Sequence, residues 1–125
     1  MIPSNVKIFL AAGRTDMRKS FDGLAAATRE VIGLDPLSGH LFCFTNRARN
    51  RLKLLYWEGS GFWVFSKRLE RGTFAWPQIQ TDGERRVEMS YARFTLLIGG
   101  FDATSITMRK WFELKPSSQA DEIFL

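Results

Sequence analysis

Seven basic residues, Arg47, Arg49, Arg51, Lys53, Lys67, Arg68 and Arg71, fall between Phe44 and Pro77 against only Glu58 and Glu70. This segment alone supplies the formal net charge of +5, and the rest of the 125-residue chain balances almost to zero. Phe44, Tyr56, Trp57, Phe62, Trp63, Phe65, Phe74 and Trp76 are interleaved with the cations and include three of the four tryptophans. Charge gathered on one element makes a directional field, whereas scattered charge mainly aids solubility. Cations with aromatic neighbours are the composition of a nucleic-acid contact surface. Arg47, Arg49, Arg51 and Lys53 also alternate along the chain. On an extended segment they would project one way at a repeat of about 7 Å. Phosphates along a DNA strand lie at a comparable spacing, and each one neutralised releases counterions. The competing reading is a solvated loop tip. Arg18 and Lys19 can join the patch, with Asp16 and Asp22 offsetting them in part.

Catalytic chemistry finds less support. The single histidine, His40, and the single cysteine, Cys43, lie three apart on an expected strand and so face opposite sides. Two such ligands do not fill a four-coordinate zinc site. No nucleophile elbow, phosphate-binding glycine loop or paired-histidine motif occurs in the chain. Asp16, Asp22, Asp35, Glu58 and Glu70 are carboxylates of the kind that hold divalent metals for phosphoryl transfer. Most have a simpler role: Asp16 a helix cap, Asp35 a turn before Pro36, Glu58 a hairpin turn, Glu70 an ion pair. The expectation is a non-enzymatic protein with no catalytic residue, no metal and no cofactor, in which His40 is a half-buried structural residue.

The elements that must position these residues follow from periodicity and turn chemistry. Lys7 to Ala11 is a short apolar run and a first strand. Asp16 is a candidate N-cap, and Phe21, Leu24, Ala25, Thr28, Val31 and Ile32 recur at helical spacing before Gly33. Leu41 to Phe44, Leu52 to Trp57 and Phe62 to Leu69 are strand-like, with Asn46 to Asn50 and Glu58-Gly59-Ser60-Gly61 as hairpin connections. Arg86 to Met89 is a further short strand, and Ser90 caps a helix from Tyr91 to Ile98 that ends at Gly99-Gly100. Ala103 to Leu114 is a further helical candidate.

These elements predict one α+β domain over residues 1–114, with a mobile tail over residues 115–125. Its antiparallel meander is packed by an N-terminal and a C-terminal helix, both on one face of the sheet. Aromatic residues on strands mostly belong to a core. Adjacent strand positions point to opposite faces, so some of Trp57, Trp63 and Trp76 should lie off the main core as partner anchors. The lone cysteine forms no internal disulfide, and no apolar run approaches the roughly 20 residues that cross a bilayer. The N-terminus lacks the long apolar core of a signal peptide. The expectation is a cytoplasmic protein without a membrane partner.

A series of motifs in fixed order then becomes informative. Thr15-Asp16-Met17-Arg18-Lys19, Phe21-Asp22-Gly23-Leu24, Asp35-Pro36 and Ser38-Gly39-His40-Leu41-Phe42 are followed by Arg51-Leu52-Lys53-Leu54-Leu55-Tyr56-Trp57. Gly59, Gly61-Phe62 and Lys67-Arg68-Leu69-Glu70-Arg71-Gly72-Thr73-Phe74-Ala75-Trp76-Pro77 complete the series. This order resembles the second-reading-frame accessory proteins, called TnpB, of insertion-sequence-66 transposons. That family is distinct from the RNA-guided nucleases that share the name. The resemblance runs from about Ile8 to Pro77 and resumes at Leu96-Leu97, with Ser20 and Gly99-Gly100 as departures. It implies an accessory role in transposition, with the transposase and other transposon-encoded proteins as partners. Combined with the charge, it points to contact with DNA, at transposon ends or along any duplex. The other reading is a protein–protein adapter docking onto the transposase.

Overall fold

Two apolar runs without alternation, Ile8-Phe-Leu-Ala11 and Leu41-Phe-Cys-Phe44, mark strands that bury both faces. The computed structural model describes residues 5–78 and 83–100. Its elements are β1 (Ile8–Ala11), α1 (Phe21–Ala27) continued by a π-helical turn (Thr28–Ile32), β2 (Leu41–Thr45), β3 (Arg51–Trp57), β4 (Phe62–Arg68), β5 (Arg86–Met89) and α2 (Tyr91–Ile98). Every residue of β1 and β2 is buried. The expected helix at Ala103 to Leu114, the tail over residues 115–125 and most of the loop after Gln78 lie outside the described residues.

The strands form one mixed sheet in the order β4-β3-β2-β1-β5. β2, β3 and β4 make the expected antiparallel meander. β1 pairs with β2 in parallel and with β5 antiparallel, so the first strand lies inside the sheet. The α+β arrangement therefore holds, with one parallel pair added to the antiparallel ladder.

The two helices do not share a face, contrary to the expectation from sequence. Leu24, Ala25, Ala27 and Ile32 pack with Phe9, Phe42, Phe44 and Leu55 on one side of the sheet. Phe94 and Leu97 of α2 pack with Ile8, Leu10, Leu41, Cys43, Leu54 and Met89 on the other. The cause is visible in β1 and β2, whose doubly apolar strands need a cover on each side. Cys43 is fully enclosed, and burial pushes its thiol well above the ordinary value.

Local chemistry sets the connections. α1 and its π-helical turn end at Gly33, whose φ of +80° is the left-handed conformation that glycine adopts without a steric penalty. Thr28 is fully buried, and its hydroxyl donates to the Leu24 carbonyl at 2.8 Å. Ser90 caps α2 as expected, accepting from the Arg93 N–H at 3.3 Å. Asp16 does not cap α1, which begins at Phe21, after Ser20. It closes a local turn instead, accepting from the Arg18 N–H at 2.9 Å.

Candidate nucleic-acid interface

The sheet has two chemically different ends. β1, β2 and β4 finish, and β3 and β5 begin, at the same end. Three segments meet there. The loop after β1 is tied in by Thr15 N–H donating to Thr45 O at 2.8 Å. The β2–β3 loop is closed by Asn46, whose Oδ1 accepts from the Asn50 and Arg51 N–H groups, each at 3.1 Å. The segment after β4 is pinned to that loop by Leu69 N–H to Asn50 O at 2.8 Å and by Phe74 N–H to Arg49 O at 2.7 Å. The other end holds Lys7, His40 and the Glu58–Gly61 turn.

These ties determine where each expected contact residue lies. Arg47 and Arg49 sit exposed on the β2–β3 loop, and Arg71 sits exposed on the segment joined to it. Arg51 and Arg68 are directly opposite one another on β3 and β4, on the side of the sheet that carries α1. Lys53 shares that side, and its Nζ donates to Lys19 O at 2.7 Å, which draws the Arg18–Lys19 segment towards the same region. Met17, Arg51, Lys53 and Arg68 line a shallow groove of about 240 Å³ there.

Two expectations need correction. The alternating comb of Arg47, Arg49, Arg51 and Lys53 is broken, because the first two lie in a loop and only Arg51 and Lys53 share a strand face. Lys67 belongs to the opposite side of the sheet, where its Nζ donates to Ile98 O at 2.6 Å, at the C-terminal end of α2. A cation there meets the negative end of the helix dipole.

The electrostatics separate occupied cations from available ones. Arg18 is held by Asp16, with Nη2 to Oδ2 at 2.7 Å and Nε to both carboxylate oxygens. That guanidinium holds the Asp16 carboxyl at about 2, well below its usual range. Arg68 meets Glu70 at 3.4 Å in an exposed pair, of the kind that contributes little. Arg47, Arg49, Arg51, Arg71 and Lys19 form no ion pair among the described residues. Arg49 also has a φ of +58°, the one non-glycine left-handed residue among those described. For an L-residue that conformation costs about 1 to 2 kcal/mol. The Arg49 N–H closes the turn by donating to Asn46 O at 3.1 Å.

Arg85 and Arg86 are structural. Arg85 Nε donates to Val31 O at 2.9 Å, its Nη2 donates to Glu30 O, and Arg86 Nη1 donates to Ile32 O at 3.0 Å. They satisfy the terminal carbonyls of the π-helical turn. Their position just before and at the start of a short strand carried no signal for this long-range role.

The aromatics divide as well. Trp76 is buried, with its indole N–H donating to Ala11 O at 3.2 Å, so it is a core residue and offers no exposed surface to a partner. Trp57 is half-buried and meets Phe62 edge-on at 5.0 Å, on the α1 side. Trp63 lies on the α2 side, 42% exposed and stacked with Phe65 at 6.0 Å. The Trp63 indole and the Ser60 hydroxyl hold the Glu58 carboxyl below its ordinary value. His40 is half-buried, its Nδ1 accepting from the Lys7 N–H at 3.3 Å and its ring meeting Phe9 edge-on at 5.6 Å.

Among the described residues no group of three or more His, Cys, Asp and Glu side chains is arranged to hold a metal. No described helix is long and apolar enough to cross a membrane.

The sequence has relatives. It is 40% identical over 104 residues to the uncharacterized protein y4hO of Sinorhizobium fredii (strain NBRC 101917 / NGR234), covering 82% of this chain and 88% of that one. It is 35% identical over 101 residues to the uncharacterized protein y4jC of the same strain, covering 81% and 84%. No solved structure matches the chain. The profile of the family described as "IS66 Orf2 like protein" matches residues 6–108, a span that includes the whole sheet and the basic end. The chain therefore belongs to the IS66 Orf2-like family, and that membership implies an accessory role in insertion-sequence transposition.

Proposed function

We propose that this protein serves transposition without catalysing it, by holding the DNA backbone at the basic end of its sheet. The observation that carries the reading is the clustering of Arg47, Arg49, Arg51 and Arg71, unpaired among the described residues, on segments joined by backbone hydrogen bonds. Lys19, Lys53 and Arg68 border them, and Arg18 is partly neutralised by Asp16. Guanidiniums on short, tethered segments lose less freedom on meeting a phosphate than those on a long loose loop. Phosphate contact carries no sequence information by itself, so binding is expected to be steep in salt and nearly blind to sequence. Titrating a transposon-end duplex and a scrambled duplex across a potassium chloride series tests this. Similar, salt-steep affinities support the reading, and no binding at low salt refutes it.

A second reading is an adapter that docks onto the transposase. It is favoured by Trp63, exposed on the α2 side, where Tyr91 (58% exposed) borders an apolar groove of about 430 Å³. Trp and Tyr are frequent anchors of protein interfaces. An aromatic-anchored complex with the transposase should survive the salt that strips DNA.

A further inference from the structure

β4 is an edge strand, and its backbone is polarised. Glu58 N–H donates to Gly61 O at 3.2 Å, and Leu69 N–H donates to Asn50 O at 2.8 Å. Both pairs belong to the register that places Leu54 opposite Phe65. Bonded and non-bonded pairs alternate along an antiparallel ladder. Gly61, Trp63, Phe65, Lys67 and Leu69 therefore bond to β3, while Phe62, Val64, Ser66 and Arg68 turn their N–H and C=O groups outward. Among the described residues nothing accepts or donates to those outward groups.

We propose that β4 is a dimerisation edge: two copies pair antiparallel about a two-fold axis at Phe65, joining Phe62 to Arg68 and Val64 to Ser66 across the interface. This inference is independent of the DNA reading. Three observations select a second copy as the occupant. First, the register centred on Phe65 bonds all four outward residues over the full length of Phe62–Arg68, and centring it one residue away leaves an end unpaired. Second, β4 is apolar at its start and basic at its end. Antiparallel pairing sets each Arg68 beside the Phe62 ring of its partner on the same face, a cation–π geometry. Parallel pairing would instead set Arg68 against Arg68. The antiparallel arrangement also carries the two basic ends to opposite ends of the joined ladder, which limits repulsion between two chains of net charge +5. Third, the other edge, β5, is four residues long and charged at Arg86 and Glu88. Such an edge resists pairing, so the isologous contact consumes the one long edge among the described residues and closes as a dimer.

The test uses the full chain. Sedimentation velocity from micromolar to millimolar concentration should show a species of twice the chain mass; a monomer throughout would overturn the proposal, including the case in which β4 receives an extended segment of another protein. Phe65→Cys places two thiols directly opposite, with Cα atoms about 4.5 Å apart, within disulfide range. It should crosslink on mild oxidation, whereas Ser66→Cys, which faces the partner's Val64, should not. Equal crosslinking of the two, or none, would overturn the register. Cys43 is fully buried and does not compete. If Phe65→Cys fails to fold, Phe62→Glu and Phe62→Lys decide, since both lose the same contact with Trp57. The glutamate faces the partner's Arg68 and should dimerise at least tenfold more tightly than the lysine; equal dimerisation would overturn the proposal.

Discussion

Arg51 and Arg68 face one another on adjacent antiparallel strands, and Glu70 meets only Arg68 of the two, at 3.4 Å in an exposed contact. Like charges directly opposite destabilise a sheet, on a scale of about 0.2 to 1 kcal/mol per pair. An anion lying over the pair converts the repulsion into attraction. Arg51→Thr should therefore raise stability in low salt by up to about 1 kcal/mol while weakening DNA binding. Paired urea titrations and DNA titrations check both signs. A loss of stability would mean that the pair is relieved within the protein itself.

Arg49 provides a second case in which stability and binding should move in opposite directions. Its φ of +58° suits glycine better than any side chain. Arg49→Gly should stabilise the fold by about 1 kcal/mol and lower DNA affinity. Thermal melts in the absence of DNA, followed by binding at fixed salt, separate the two effects. Unchanged affinity would leave Arg49 as a turn residue only.

The tryptophans should differ sharply in their roles. Trp76→Ala removes a buried ring and leaves the Ala11 carbonyl without its indole donor, so a loss of about 3 to 5 kcal/mol is expected. Trp63→Ala, at an exposed position, should cost under about 1 kcal/mol. Chemical denaturation of the two variants makes the comparison. If the losses were similar, Trp63 would belong to the core and could not anchor a partner.

Asp16 gives a pH signature. Its carboxyl titrates at about 2 in the folded protein, chiefly because the Arg18 side chain and backbone donate to it. A carboxyl whose folded pKa is depressed stabilises the fold above its unfolded pKa and loses that contribution as pH falls through the folded one. The stability gap between the wild type and Asp16→Asn should therefore shrink between about pH 4 and pH 2. Denaturation midpoints measured across that interval report it, and a constant gap would mean that the Asp16–Arg18 contact does not form in solution.

Much of the fold was legible because the signals were local. Glu58-Gly59-Ser60-Gly61 marked the β3–β4 hairpin, and Ser90 with Gly99 bounded α2. The side of the sheet that each helix covers was not read, although the unbroken apolar runs at Ile8–Ala11 and Leu41–Phe44 carried that information. The parallel pairing of β1 with β2 depends on contacts more than 30 residues apart, which periodicity does not encode. At the basic end, the concentration of charge was plain in the sequence. Which side chains were already engaged was not, because Lys67 meets α2, Arg85 meets the π-helical turn and Trp76 meets β1 only through tertiary contacts.

The slope of DNA affinity against salt bears most directly on the proposal that the basic end of the sheet binds DNA. Each phosphate neutralised contributes about 0.9 to the logarithmic slope. The Arg47→Ala, Arg49→Ala, Arg51→Ala triple variant should have a slope roughly 2 to 3 shallower than wild type. Lys7→Ala, at the other end of the sheet, and Lys67→Ala, on the α2 side, should leave it unchanged. An unchanged slope in the triple variant, or an equal loss in the two controls, would place DNA elsewhere on the molecule.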